Sequence, residues 1–153
     1  MWVVKEATNS PICEVGTPIK CGTKIRLEHV STNKNLHSHL YKAPLSGNQE
    51  VSAFGEGGNG DTGDNWEIVC ESGESYWRIG SLISLKHVDT AKYLSTSDTA
   101  VFNTANCGGN CPIMGQTEVS AAYQMDKKTK WFTGQGVYFP GKSVSEEPDD
   151  DEL

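Results

Sequence analysis

His37 and His39 stand two residues apart in Leu36-His37-Ser38-His39, a spacing that turns both imidazoles to one side of an extended strand. Such a pair serves as metal ligands, as a general base with its partner, or as a hydrogen-bonding patch. No third ligand is evident beside them. The pair therefore reads as structural or as part of a polar-ligand site, and neither a metal nor a cofactor is expected. Further along, Asp61, Asp64 and Asn65 lead into Trp66 through a glycine-rich stretch. Carboxylates and an amide beside an aromatic face can hold a sugar through placed hydrogen bonds. The competing reading makes Trp66 a core residue and the acids turn caps. Gly47-Asn48-Gln49-Glu50 is a third polar cluster. The candidate ligand set is His37, His39, Asn48, Gln49, Asp61, Asp64 and Asn65.

Catalysis finds little footing. No Gly-x-Ser-x-Gly elbow is present, and no phosphate-binding glycine loop ends in Lys-Ser or Lys-Thr. Asp61 and Asp64 would need pKa values pushed apart to act as an acid–base pair, and a glycine-rich loop supplies nothing to do so. The chain is expected to be no enzyme.

The elements that position these residues come in two copies. Gly22–Leu36 aligns with Gly80–Leu94 at an offset of 58, with eight of fifteen positions identical. Pro44–Ala53 aligns with Pro112–Ala121 at 68, and Trp66 with Trp131 at 65. Each copy runs from an alternating strand (Ile25 and Leu27, then Ile83 and Leu85) through a turn, a short strand and a glycine loop to a tryptophan strand. Period-two alternation with frequent turn signals reads as all-β. Trp2-Val3-Val4 resembles the opening of Trp66–Cys70, so it reads as the last strand of an earlier unit. His29 and His87 occupy one repeated position and read as scaffold. His37 and His39 align with Ser95 and Ser97, and Asn48 and Gln49 with Gln116 and Thr117, so a ligand site is expected on the first complete unit.

Twenty acids against thirteen bases give a net charge of −7, and six of those acids lie among the last eight residues. With no basic face beyond Lys127, Lys128 and Lys130, nucleic acid is not expected as a partner. No apolar run reaches the roughly 18 residues of a membrane span, so no membrane insertion is expected. The amino terminus lacks the pattern of a secretory signal. Asp150-Asp151-Glu152-Leu153, by contrast, is close to the lumenal retention signal.

Leu36-His37-Ser38-His39, Pro44–Phe54 and Gly60–Trp66 together resemble the MIR motif of protein O-mannosyltransferases, inositol trisphosphate and ryanodine receptors, and stromal cell-derived factor 2 proteins. With Cys13–Cys21 and the carboxy-terminal tetrapeptide, the pattern resembles the last family most closely, over residues 2 to about 139. The resemblance implies a β-trefoil of MIR repeats, here with the first repeat largely missing: residues 1–12 as the last strand of that repeat, 13–72 as the second, 73–139 as the third, and 140–153 as an acidic tail. It implies residence in the endoplasmic reticulum lumen, in a chaperone complex with a J-domain co-chaperone and the lumenal Hsp70 that handles unfolded clients. The alternative is a carbohydrate-binding module for O-mannosyl or related glycans.

A trefoil would lay the first and last strands of a unit side by side, which implies a Cys21–Cys70 disulfide and leaves Cys13 free or mispaired. Cys107-Gly-Gly-Asn-Cys111 has the spacing for a small bridge across a loop. Reduced thiols and a metal pair are the other readings of these cysteines.

Overall fold

The computed structural model describes residues 1–134. The expected tail 140–153, with Asp150, Asp151, Glu152 and Leu153, and the end of the 73–139 unit lie outside the described residues. Eight strands form one antiparallel sheet: β1 (Trp2–Glu6), β2 (Lys24–His29), β3 (Lys34–Lys42), β4 (Gln49–Phe54), β5 (Trp66–Cys70), β6 (Ile83–His87), β7 (Tyr93–Val101) and β8 (Thr117–Ala122). Their order is β1-β2-β3-β4-β8-β7-β6-β5, and β5 returns to β2 through Lys24↔Glu67 and Ile25↔Trp66. Seven strands therefore close into a barrel, with β1 laid outside on β2. The only α-helix among the described residues is a single turn, α1 (Thr104–Cys107).

Closure removes free edges from the barrel strands and turns one face of each inward. The two copies of the sequence repeat supply that inner face alike. Ile25, Trp66, Ile68, Ile83, Leu85, Leu94 and Ala121 make the buried cluster, with Leu27, Leu36, Val51 and Trp131 packed against it. Trp66 is fully buried, and its indole Nε1 donates to Leu36 O at 3.0 Å. Trp131 Nε1 makes the matching bond to Leu94 O at 2.9 Å. A buried indole N–H needs a partner, and in each copy a strand carbonyl at the same position provides it.

The turns repeat as closely. In the first, Asn33 takes a left-handed φ of 51° and its N–H bonds His29 O at 2.8 Å; in the second, Ala91 at φ 57° bonds His87 O at 2.8 Å. His29 and His87 turn Nδ1 to Thr32 and Thr90 Oγ1, at 3.1 and 2.8 Å. Trp2 lies opposite His29 as Trp66 lies opposite His87, with ring centroids 5.0 Å apart in both pairs. β1 thus stands to β2 as β5 stands to β6.

Six large buried side chains, each contributing roughly 1.5–3 kcal/mol, with Ala121 beside them, make a modest core. Covalent closure therefore matters. Cys21, just before β2, is bonded to Cys70 at the end of β5, spanning 49 residues at the β2–β5 seam. Cys107 and Cys111 bridge across the loop after α1, and Cys13 is an exposed free thiol. Replacing Cys21 and Cys70 together by serine is expected to lower stability by about 4 kcal/mol in the chain-entropy account. Urea denaturation of the double variant against the parent checks it; the Cys107–Cys111 pair, enclosing a far shorter loop, should cost less.

Candidate functional site

β3 carries Asn35, His37 and His39 on one face by strand periodicity. The glycine-rich segment between β4 and β5 folds back over that face. It ends in a 3-10 turn, Thr62–Asp64, whose cap is Asp61: one Asp61 carboxylate oxygen accepts from Gly63 N at 2.9 Å. This turn drives Asp64 inward until nothing of it is exposed. A buried carboxylate must be hydrogen-bonded to persist, and Asp64 is: Oδ1 accepts from His37 Nδ1 and Oδ2 from Asn35 Nδ2, both at 2.9 Å. Asn35 Nδ2 also reaches Gly58 O at 3.2 Å.

The close approach explains two glycines. A Cβ on Gly60 would run into Asp64 Oδ2, and one on Gly63 into the His37 ring and Ser38 O. His37, 5 % exposed, has the Phe54 ring 4.5 Å away and a second carboxylate, that of Asp61, at 3.6 Å. His39 is half-buried, edge-on to both His37 and Tyr41, with Glu50 at 3.6 Å.

Beneath the cluster a polar chain links three elements. Gln49 Nε2 donates to Ser38 Oγ at 2.7 Å and to Thr90 Oγ1 at 3.0 Å. His87, 1 % exposed, lies 2.9 Å through Nε2 from Gly63 O. Because a carbonyl only accepts, Nε2 carries the proton, and Nδ1 accepts from the Thr90 hydroxyl. Burial is the main cause holding His87 below the ordinary imidazole pKa, partly opposed by the Gly63 carbonyl and Asp89.

The candidate residues therefore divide. His37, Asp61 and Asp64 meet in one cluster, with His39 at its edge. Asn65 lies beside it, its Oδ1 accepting from Thr8 N at 2.9 Å and so tying down the segment after β1. Gln49 is in the polar chain below. Asn48 is apart from all of them, donating to Ser120 Oγ at 3.1 Å on a different groove. Asn35 escaped the sequence reading, though it shares a strand face with His37 and has no amide counterpart in the second unit, where Tyr93 stands.

His37 Nδ1 and carboxylate oxygens of Asp61 and Asp64 lie within 4.8 Å of one another. A cation there would have to displace the His37–Asp64 hydrogen bond, which already occupies the imidazole nitrogen. As it stands, the cluster is a hydrogen-bonded clamp between loop and sheet.

No family model matches the chain. It is 43% identical over 142 residues to a stromal cell-derived factor 2-like protein of Dictyostelium discoideum, covering 93% of this chain and 63% of that protein. To human stromal cell-derived factor 2 it is 42% identical over 137 residues, covering 90% and 60%. The crystal structure of the SDF2-like protein from Arabidopsis thaliana superposes with a TM-score of 0.80 at 36% identity, over 92% of this chain and 72% of that one. The chain belongs to the stromal cell-derived factor 2 family. It spans about 60% of the length of the curated relatives it matches. A weaker structural likeness within the same fold, TM-score 0.68 at 26% identity, is to the Saccharomyces cerevisiae protein O-mannosyltransferase Pmt1-Pmt2 complex bound to the sugar donor, over 86% of this chain and 18% of that one. The two disulfides of this family member suit an oxidising, secretory compartment.

Asp64→Ala should leave His37 Nδ1 buried without an acceptor and Asn35 Nδ2 with Gly58 O alone, and cost about 3 kcal/mol, read as a shift in the urea midpoint. For His87 the sign is fixed by its depressed pKa. The fold favours the neutral ring, so its contribution is whole above the ordinary value of about 6.5 and is lost as pH falls from there through the folded value. Stability should drop between pH 7.5 and 5.5, and His87→Asn should flatten that slope in paired denaturation curves.

Proposed function

We propose that the chain is a non-catalytic MIR-repeat protein of the endoplasmic reticulum lumen, acting in a chaperone complex with a J-domain co-chaperone and the lumenal Hsp70 on unfolded clients. Family membership over nine-tenths of the chain carries the reading. The way its reactive residues are used supports the absence of catalysis: His37, the best candidate base, is shielded and spends Nδ1 on Asp64, whose two oxygens are both taken. A general base must instead reach a substrate proton.

The repeated turns and indole bonds, and the matched Trp2–His29 and Trp66–His87 pairings, support a β-trefoil in which β1 belongs to one repeat, β2–β5 to the next and β6 onward to the last. Two disulfides support the lumen. Leu40 and Tyr41, 84 % and 69 % exposed at the β3–β4 hairpin, offer apolar surface for a protein partner. A second reading, a carbohydrate-binding module for O-mannosyl or related glycans, draws on the likeness to the O-mannosyltransferase complex.

Affinity capture with the 153-residue chain from endoplasmic reticulum lumenal extract should recover a J-domain protein and Hsp70. Leu40→Ser with Tyr41→Ser should weaken that recovery several-fold. Capture of neither partner by the parent chain would sink the chaperone reading.

A further inference from the structure

A groove of about 460 Å³ lies away from the His37 cluster, mostly on the second unit, with Leu45, Ser46 and Asn48 of the first unit along one wall. Its origin is visible when the units are compared. The pairings Leu94↔Ala121, Ser95↔Ser120 and Thr96↔Val119 repeat Leu36↔Ala53, His37↔Ser52 and Ser38↔Val51. Ser95 and Ser97 therefore take the places of His37 and His39, and Lys128, two residues after the cap Asp126, takes that of Gly63. In the first unit the His37 ring fills the space under the 3-10 turn. In the second, two hydroxymethyl groups leave that space open.

We propose that this groove binds a neutral saccharide. It deepens the glycan reading above, resting on it for the ligand class while moving the site off the His37 cluster. The walls are built in advance. On one side the Glu118 carboxylate, 6 % exposed, accepts from Leu45 N at 2.6 Å and Ser46 N at 3.0 Å, clamping the turn before β4. On the other, Asn103 and Asn106 cap α1 reciprocally and the Cys107–Cys111 bridge closes the loop behind it. A groove fixed this way spends little ordering entropy on binding, and its volume lies within the roughly 300–1,000 Å³ of ligand sites.

The lining decides the chemistry. Glu118 is committed to two backbone amides, so no carboxylate is left to hold a cation. Lys128 is the one cation on the groove, which is little for an anion in water. What remains are hydroxyls and asparagine amides. Ser97 and Thr99 bond each other at 2.9 Å, and each hydroxyl keeps further donor or acceptor capacity. Asn48 gives Nδ2 to Ser120 and keeps its carbonyl oxygen for a ligand hydroxyl. The register shift between Thr96 and Val101 also takes Ser97–Ala100 off the β8 ladder. Groups that both donate and accept match a ring of hydroxyls. Without an aromatic face in the groove, affinity should be millimolar.

Titrating methyl α-mannoside, with the α-glucoside and α-galactoside beside it, into the ¹⁵N-labelled full chain tests this. Saturable shifts should fall on Asn48, Ser97, Thr99 and Asn103. Ser95→His, which restores the His37 imidazole that fills this space in the first unit, should weaken binding at least tenfold with an unchanged melting temperature; Asn48→Ala should weaken it several-fold if the histidine perturbs the fold. Shifts confined to His39 and Asp61 would overturn the groove while leaving the glycan reading standing. Absence of saturable shifts with all three glycosides would overturn both. Tighter binding of inorganic phosphate, with shifts centred on Lys128, would overturn the neutral class.

Discussion

A carboxylate with no exposed surface is the constraint from which the first unit's architecture follows. Asp64 can be buried only if its charge is met by hydrogen bonds, and the donors that meet it sit on β3, nearly thirty residues earlier in sequence. That requirement fixes the path of the whole glycine-rich segment. It must come close enough for Gly60 and Gly63 to touch the cluster, turn through a capped 3-10 turn, and deliver Trp66 into the barrel. His87, reaching Gly63 O from β6, holds the same turn from the other side. One turn is thus gripped by both repeat units, and its position is over-determined by bonds that cost free energy if left unmade.

The second unit keeps the frame and drops the ionic chemistry. Thr129 replaces Asp64 and is as deeply buried, but its hydroxyl is satisfied within its own turn by Asp126 O at 2.8 Å. A neutral side chain makes no demand on β7. Serines can therefore stand where histidines stood, and the strand face opens into a groove instead of closing into a clamp. The fold is carried by what the units share: the indole bonds, the left-handed turn residues and the inward aliphatic rows.

Much of this was legible beforehand. Alternation in Ile25, Leu27, Ile83 and Leu85 marked the inner face, and the repeated His29 and His87 marked a structural position. The first-unit cluster was half legible: His37, Asp61 and Asp64 were singled out, and they meet. Their division of labour was not, because hydrogen-bond partners far apart in sequence leave no local signal. Asn48 and Gln49 show the limit well. Adjacent residues entering a strand point to opposite faces, so the two amides picked as one cluster serve two different networks. Asn35 was missed because its role depends entirely on where a distant loop lands.

The tryptophan strand of each unit pairs along its length with the first strand of the next, β1 with β2 and β5 with β6, while its own unit's first strand is met over two residues only, Lys24↔Glu67 and Ile25↔Trp66. The repeats are therefore interlocked rather than stacked. In a solenoid each module carries its own stability and can be added or removed at the ends. Here the boundaries written in the repeat are not boundaries of cooperativity, and excising one unit would strip its neighbour of a wall.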